Sequence, residues 1–198
     1  MYLVYDNIHH YTLQEYLDFY KRLDDNDKKK VNLFIHDNDK KLFLLSRILL
    51  SKLTCKYYSL NFFDLDIKYN QYGKPYVDEF YFNITHSHDY AVVVSSDRKV
   101  GVDIEKIREV DIHIIHYFCT DMEKKYILDS TNRYQSLFEI FGLKEAYFKM
   151  KGTGIGNIRD IEFIIHDDKV VCSNENNLNI LLNYEIQGYV MAVVEEKD

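Results

Sequence analysis

Asp103 and Glu105 stand one residue apart in VGVDIEKI, Val100 to Ile107. The alternation predicts a strand with Val100, Val102 and Ile104 on one face and Gly101, Asp103 and Glu105 on the other. Two carboxylates then share a face within contact distance, where like charges repel. A cation between them removes the conflict. Oxygen ligands with open positions suit Mg²⁺, which keeps waters and borrows oxygens from phosphates. An ordinary solvated sheet face has the same spacing. Glu145, in FEIFGLKEAYFKMKGTGIG (Phe138 to Gly156), could complete the set from a helix. Lys149 lies four residues after it and could meet a phosphate beside the metal, although Glu and Lys at that spacing also make a plain surface pair.

Other candidates carry less. His86 and His88 are two apart on an expected strand, and His113 and His116 are three apart, as on a helix face. Neither pair has a third soft ligand nearby, so zinc is not supported. Cys55, Cys119 and Cys172 are single and widely spaced, which supports neither a disulfide framework nor a zinc ribbon.

Elements must hold these residues in place. The 198 residues allow one large domain or two small ones, and 46% apolar content supports a core. A strand is expected at Met1–Tyr5 and a helix at Thr12–Leu23, where Thr12 and Glu15 form a capping box. Asp24–Lys30 reads as a polar turn and Lys40–Tyr58 as a long helix, amphipathic or largely buried. Ala91–Ser95 is expected to pair with Val100–Ile104 as a hairpin through SDRK. A short helix begins at DMEKKYIL, a longer one spans Tyr134–Lys151, and the tail returns to strands. HDYAVVVSSD echoes GYVMAVVEEKD near the C-terminus, a faint sign of two related halves. A net charge of −7 leaves no overall basic footprint for nucleic acid. No apolar run approaches the roughly 20 residues of a membrane span, and the first residues lack the basic start of a leader. A soluble cytoplasmic protein is expected.

Five segments in order resemble the signature of the 4′-phosphopantetheinyl transferases, in their Sfp-type branch. They are GKPY (Gly73–Tyr76), FNITHS (Phe82–Ser87), GVDIE (Gly101–Glu105), FCTDMEKKYIL, and FGLKEAYFKMKGTG. The resemblance implies an α+β fold of two similar halves related by a pseudo-twofold, with the active site in the cleft between them. The halves are expected at 1–99, contacting coenzyme A, and 100–198, carrying the metal site. It also implies a monomer.

By resemblance, Asp103, Glu105 and Glu145 hold Mg²⁺ and Lys149 lies near the pyrophosphate. Lys74 and Pro75 lie beside the adenine, and Thr85 and His86 contact the coenzyme A phosphates. Lys144 reaches phosphate or partner, and Glu123 contributes to the site. The general base is expected to be Glu105, directly or through a water, with Glu123 as the alternative. Leu42 stands where the family often has an arginine for the 3′-phosphate, so Lys40 or Lys41 is expected to substitute as a point charge. His88 stands where a glycine is frequent. The implied reaction moves the phosphopantetheine arm of coenzyme A to a serine of an apo acyl or peptidyl carrier protein, releasing adenosine 3′,5′-bisphosphate. A non-catalytic coenzyme A or carrier binder, or a metal-dependent phosphohydrolase, is the competing reading. A docking patch for the carrier is expected within Arg108–Phe118, whose Ile112 and Ile115 fit a core equally well.

Overall fold

The computed structural model describes residues 1–154, 156–166 and 169–197. In chain order, β1 (Tyr2–Asn7) leads to α1 (Leu13–Arg22), α2 (Asp25–Leu33) and α3 (Asp37–Leu53), which ends in a π-type turn, Thr54–Tyr58. The short strands β2 (Lys68–Tyr69) and β3 (Pro75–Tyr76) precede β4 (Tyr81–Ser87), β5 (Tyr90–Ser96) and β6 (Val100–Lys106). Then come α4 (Ile115–Phe118), α5 (Asp121–Asp129) and α6 (Arg133–Lys151), followed by β7 (Phe163–His166), β8 (Lys169–Cys172), β9 (Leu178–Asn183) and β10 (Tyr189–Glu196). The strands expected in the tail are β7 to β10; Asp167 and Asp168 lie outside the described residues.

Local chemistry accounts for the starts. Thr12 and Glu15 form the expected capping box on α1. The segment expected as a turn at Asp24–Lys30 is instead the opening of α2. Asp24 accepts from the backbone N–H of Asp27, Asp25 and Asp27 sit in the positive first turn, and lysines follow toward the other end. Asp27 is also buried against the Arg47 guanidinium at 2.6 Å, so tertiary pairing holds this charge-rich helix.

Two antiparallel sheets dominate, in orders β1-β5-β4 and β6-β10-β9. The first strand, the last strand and the strand before the last stand in the same arrangement in each, and α3 packs on β5 as α6 packs on β6 and β10. The fold is therefore α+β with two similar halves. The expected hairpin between β5 and β6 does not form. Both edges of β5 are taken, by β1 and β4, and β6 pairs with β10. Asp97 to Lys99 is a crossover between sheets.

Alternation explains why these strands read as unbroken apolar runs: both faces are buried. Ala91 and Val93 of β5 enter the first half's core. Val190, Ala192 and Val194 of β10 enter the second's. Val92 and Val94 meet Val102, Ile104, Met191 and Val193 in a third core between the sheets. The other face of β6, carrying Gly101, Asp103 and Glu105, turns to α6. A Cβ at residue 101 would lie 2.0 Å from the Ala146 carbonyl oxygen and 2.4 Å from the Met150 nitrogen. Only glycine permits this approach of strand to helix, and the approach brings Glu145 and Lys149 to Asp103.

Candidate active site

Thr85, His86, Asp103, Glu105, Phe141, Glu145 and Lys149 line one cleft of about 400 Å³. It continues through Ile84, Glu145 and Lys149 into a second, lined also by Lys74, Pro75, Phe148 and Gly152. Four elements build it. β6 supplies Asp103 and Glu105, α6 supplies Glu145 and Lys149, β4 supplies Thr85 and His86, and β3 with the turn before it supplies Pro75 and Lys74.

β4 is fixed on β6 by alternate side chains. Asn83 Oδ1 accepts from the Val102 N–H at 2.9 Å, Thr85 donates to Asp103 Oδ1 at 3.1 Å, and Ser87 Oγ accepts from the Lys106 N–H at 3.4 Å. Asn83 was not foreseen as a site residue. Its signal was present as the two-residue period Asn83, Thr85, Ser87 on an otherwise apolar strand. At the end of β4, His88 has φ of +53°. The hairpin thus needs the left-handed backbone that a glycine supplies most easily, and His88 adopts it.

Asp103 is 4% exposed. Lys149 donates to its Oδ1 at 2.5 Å and to Thr85 Oγ1 at 3.2 Å, while Oδ2 is buried with no hydrogen-bond partner among the described residues. Burial raises the pKa of Asp103 although Lys149 opposes the shift. Burial, and then the Asp103 charge, pushes the Glu105 carboxyl up to about 7. Burial raises Glu145 too, with Lys149 opposing and Asp103 adding. His86 has an exposed edge, yet desolvation in the cleft wall and the Lys149 charge hold its imidazole below the ordinary range.

Lys149 contacts Asp103, while Glu105 and Glu145 feel its charge from elsewhere in the same cleft. The donors are all hard oxygens, one of them the unpartnered Oδ2, so the set fits a hard divalent cation such as Mg²⁺. Among the described residues, no three His, Cys, Asp or Glu side chains are gathered closely enough to hold a metal by themselves. Such a cation would complete its shell with water or phosphate oxygens, as Mg²⁺ does.

Lys74 lines the cleft but spends its ammonium on the carbonyls of Lys149 (2.5 Å), Met150 (3.4 Å) and Val100 (3.5 Å). Burial, with Lys99 nearby, lowers its pKa to about 8.

The structure does not bring Lys144 and Glu123 to the cleft. Lys144 is fully buried, and its three N–H bonds go to Glu123 Oε2 (2.8 Å) and the carbonyls of Ile158 (2.9 Å) and Ile161 (2.6 Å). Glu123 also accepts from the Thr120 and Phe163 N–H groups, each within 2.9 Å. The pair ties α5 and α6 to the loop after α6, with no donor left for a phosphate and no free carboxylate to act as a base.

Lys40 and Lys41 do not line the cleft. Lys40 donates to Asp37 at 3.2 Å, and Leu42 is buried. In the expected docking segment, Ile115 and Phe118 belong to the core while Ile114 and Tyr117 are exposed.

Among the described residues, no helix is long and apolar enough to cross a membrane. A family model of the 4′-phosphopantetheinyl transferase superfamily matches residues 99–194. One of the 4′-phosphopantetheinyl transferase N-terminal region matches residues 10–98. The 4′-phosphopantetheinyl transferase Sfp of Bacillus subtilis (strain 168) is 25% identical over 84% of this chain and 79% of its own length. The 4′-phosphopantetheinyl transferase gsp of Aneurinibacillus migulanus is 33% identical over 62% of this chain, a match spanning 53% of that relative. The solved holo-[acyl-carrier-protein] synthase of Thermotoga maritima is 25% identical with a TM-score of 0.43, covering 50% of this chain and 64% of that one. With two adjoining family models accounting for nearly its whole length, the chain belongs to the Sfp-type branch of the 4′-phosphopantetheinyl transferase superfamily.

Proposed function

We propose that the chain transfers the 4′-phosphopantetheine arm of coenzyme A to a serine hydroxyl of an apo acyl or peptidyl carrier protein, releasing adenosine 3′,5′-bisphosphate. The observation that carries this reading is the convergence of Asp103, Glu105, Glu145 and Lys149 in one cleft between strand β6 and helix α6. The serine oxygen attacks the phosphorus on the pantetheine side, and the bond from that phosphorus to the bridging oxygen of the pyrophosphate breaks. The electron pair leaves with the 5′-phosphate.

Little covalent chemistry falls on the protein, whose task is alignment and charge neutralisation. Asp103, Glu105 and Glu145 are the side chains we assign to Mg²⁺, which when bound neutralises charge on the pyrophosphate oxygens. Lys149 meets the same developing charge. Glu105, which shares the cleft with Asp103 and Lys149, is the side chain we assign to take the serine proton, directly or through a water. Thr85 and His86 face the phosphates, and Pro75 flanks the adenine. Residues 1–99 form the nucleotide side and 100–198 the metal side of a monomer acting on carriers in the cytoplasm.

The test is intact-mass measurement of a panel of apo carrier proteins incubated with the protein, coenzyme A and Mg²⁺, with an EDTA control. A gain of one phosphopantetheine arm that EDTA abolishes is the expected result. Coenzyme A cleavage without a carrier gain would instead indicate a phosphohydrolase, and coenzyme A binding without either would indicate a binding module.

A further inference from the structure

The last turn of α6 ends in a way its own sequence does not complete. The final carbonyls of a helix lack partners inside it. Gly152, with φ of +69°, closes one by donating to Phe148 at 2.9 Å. The carbonyls of Lys149 and Met150 accept instead from Lys74, which belongs to the other half of the chain. The Gly152 carbonyl likewise accepts from Asn70 Nδ2 at 2.8 Å.

Both donors come from one tight turn between β2 and β3. Asn70 Oδ1 accepts from the N–H groups of Tyr72 (2.9 Å) and Lys74 (3.0 Å), and the Gly73 N–H returns to the Asn70 carbonyl (2.9 Å). The same Asn70 side chain thus shapes the turn and reaches across to α6. Lys74 also has the Val100 carbonyl, at the first residue of β6, within 3.5 Å. One ammonium therefore bonds the start of the strand carrying Asp103 and Glu105 and the end of the helix carrying Glu145 and Lys149. A cation at a helix C-terminus is favoured by the helix dipole as well as by the open carbonyls.

We propose that Lys74 is a positioning residue, a strut from the first half that sets the spacing between β6 and α6 and so the alignment of the carboxylates with Lys149. This inference rests on the transferase reading for its consequence in turnover, and on the hydrogen bonds alone for its consequence in local order. It assigns the Lys74 side chain a task other than contact with the adenine.

The experiment combines amide hydrogen exchange with steady-state kinetics on the full chain and its Lys74→Met and Lys74→Arg variants. Exchange in Lys74→Met is expected to quicken at least tenfold in the last turn of α6 and at Gly152, whose N–H bonds Phe148. kcat is expected to fall about tenfold to a hundredfold, the scale of a misplacement near 1 Å, with KM for coenzyme A within about threefold. Lys74→Arg, which keeps a cation for the same carbonyls, is expected to recover most of both. Unchanged exchange in a folded Lys74→Met protein would overturn the strut whatever the activity. A raised KM for coenzyme A with kcat intact would overturn it in favour of a donor contact. If the wild type converts no carrier, the transferase reading fails, and the exchange result still decides the strut. If Lys74→Met does not fold, Asn70→Ala takes its place, and no quickening at Gly152 would count against the strut.

Discussion

Lys149 donates to one oxygen of Asp103, and the other oxygen of that carboxylate has no hydrogen-bond partner among the described residues. A buried carboxylate with an unmet oxygen is costly unless something else satisfies it. This half-satisfied state, with Glu105 and Glu145 in the same cleft, supports the proposed assignment of a divalent cation to these acids.

The first prediction concerns the acids. Asp103→Asn and Glu145→Gln keep the shape of each side chain and remove its charge. Each is expected to lower Mg²⁺-dependent turnover of a carrier by more than about a hundredfold, roughly 3 kcal/mol, while circular dichroism stays that of the wild type. Near-normal turnover in both would overturn the metal assignment.

Removing the Lys149 ammonium should cost roughly 2–4 kcal/mol of transition-state stabilisation, by analogy with loss of one oxyanion donor. Lys149→Met is therefore expected to lose about thirtyfold to a thousandfold in kcat/KM. Steady-state kinetics with a saturating carrier checks this, and an unchanged kcat/KM would show that the lysine serves Asp103 only.

A pH dependence follows from Glu105. Its folded pKa of about 7 lies above the ordinary 4.5, so the folded state holds this proton more tightly than the unfolded chain. Without metal, the contribution of Glu105 to stability is full below about pH 4.5 and is lost as pH rises through about 7. Mg²⁺ should counter that loss at pH 8 and do little at pH 5. Melting temperatures at both values, with and without Mg²⁺, test this. Glu105→Gln should flatten the dependence, and a wild-type profile equally steep in Glu105→Gln would assign it elsewhere.

The Lys144–Glu123 pair gives a prediction about stability. Lys144→Met alone strands a buried carboxylate and is expected to cost about 3–5 kcal/mol. Adding Glu123→Gln should recover much of this, because the amide oxygen can still cap α5 and no lone charge is left. Urea denaturation of the single and double variants reads the difference. A Lys144→Met protein as stable as wild type that had lost only turnover would return this lysine to the cleft.

Much of this cleft was legible in the chain. Asp103, Glu105, Glu145 and Lys149 were found from strand and helix periods, and the period also placed Gly101 on the face toward α6. What failed was long-range. The SDRK segment has hairpin chemistry, but β1 arrives from the far end of its half and takes the edge that β6 would need. Asp24–Lys30 lacks an apolar stripe, and its helix depends on a cap and on Arg47, twenty residues away from Asp27. Lys144 sits beside the cleft residue Glu145 in sequence, yet a helix turns neighbours about 100° apart. Glu145 therefore faces β6 while Lys144 faces the interior.

The division of strand partners bears on how the chain folds. Among the described strands, every pairing stays on its own side of the Asp97–Lys99 crossover. Tyr2 must find Ser95, and Val100 must find Glu195, each closing a loop of roughly ninety residues. Each sheet is paired within its own half, and the third core and the bonds from β4 to β6 join the two halves. The cleft draws residues from both halves, so it is complete only where the two are docked. Refolding should show structure appearing in two units before any coenzyme A affinity appears, with the docking step as the moment at which an assembled chain becomes a competent one.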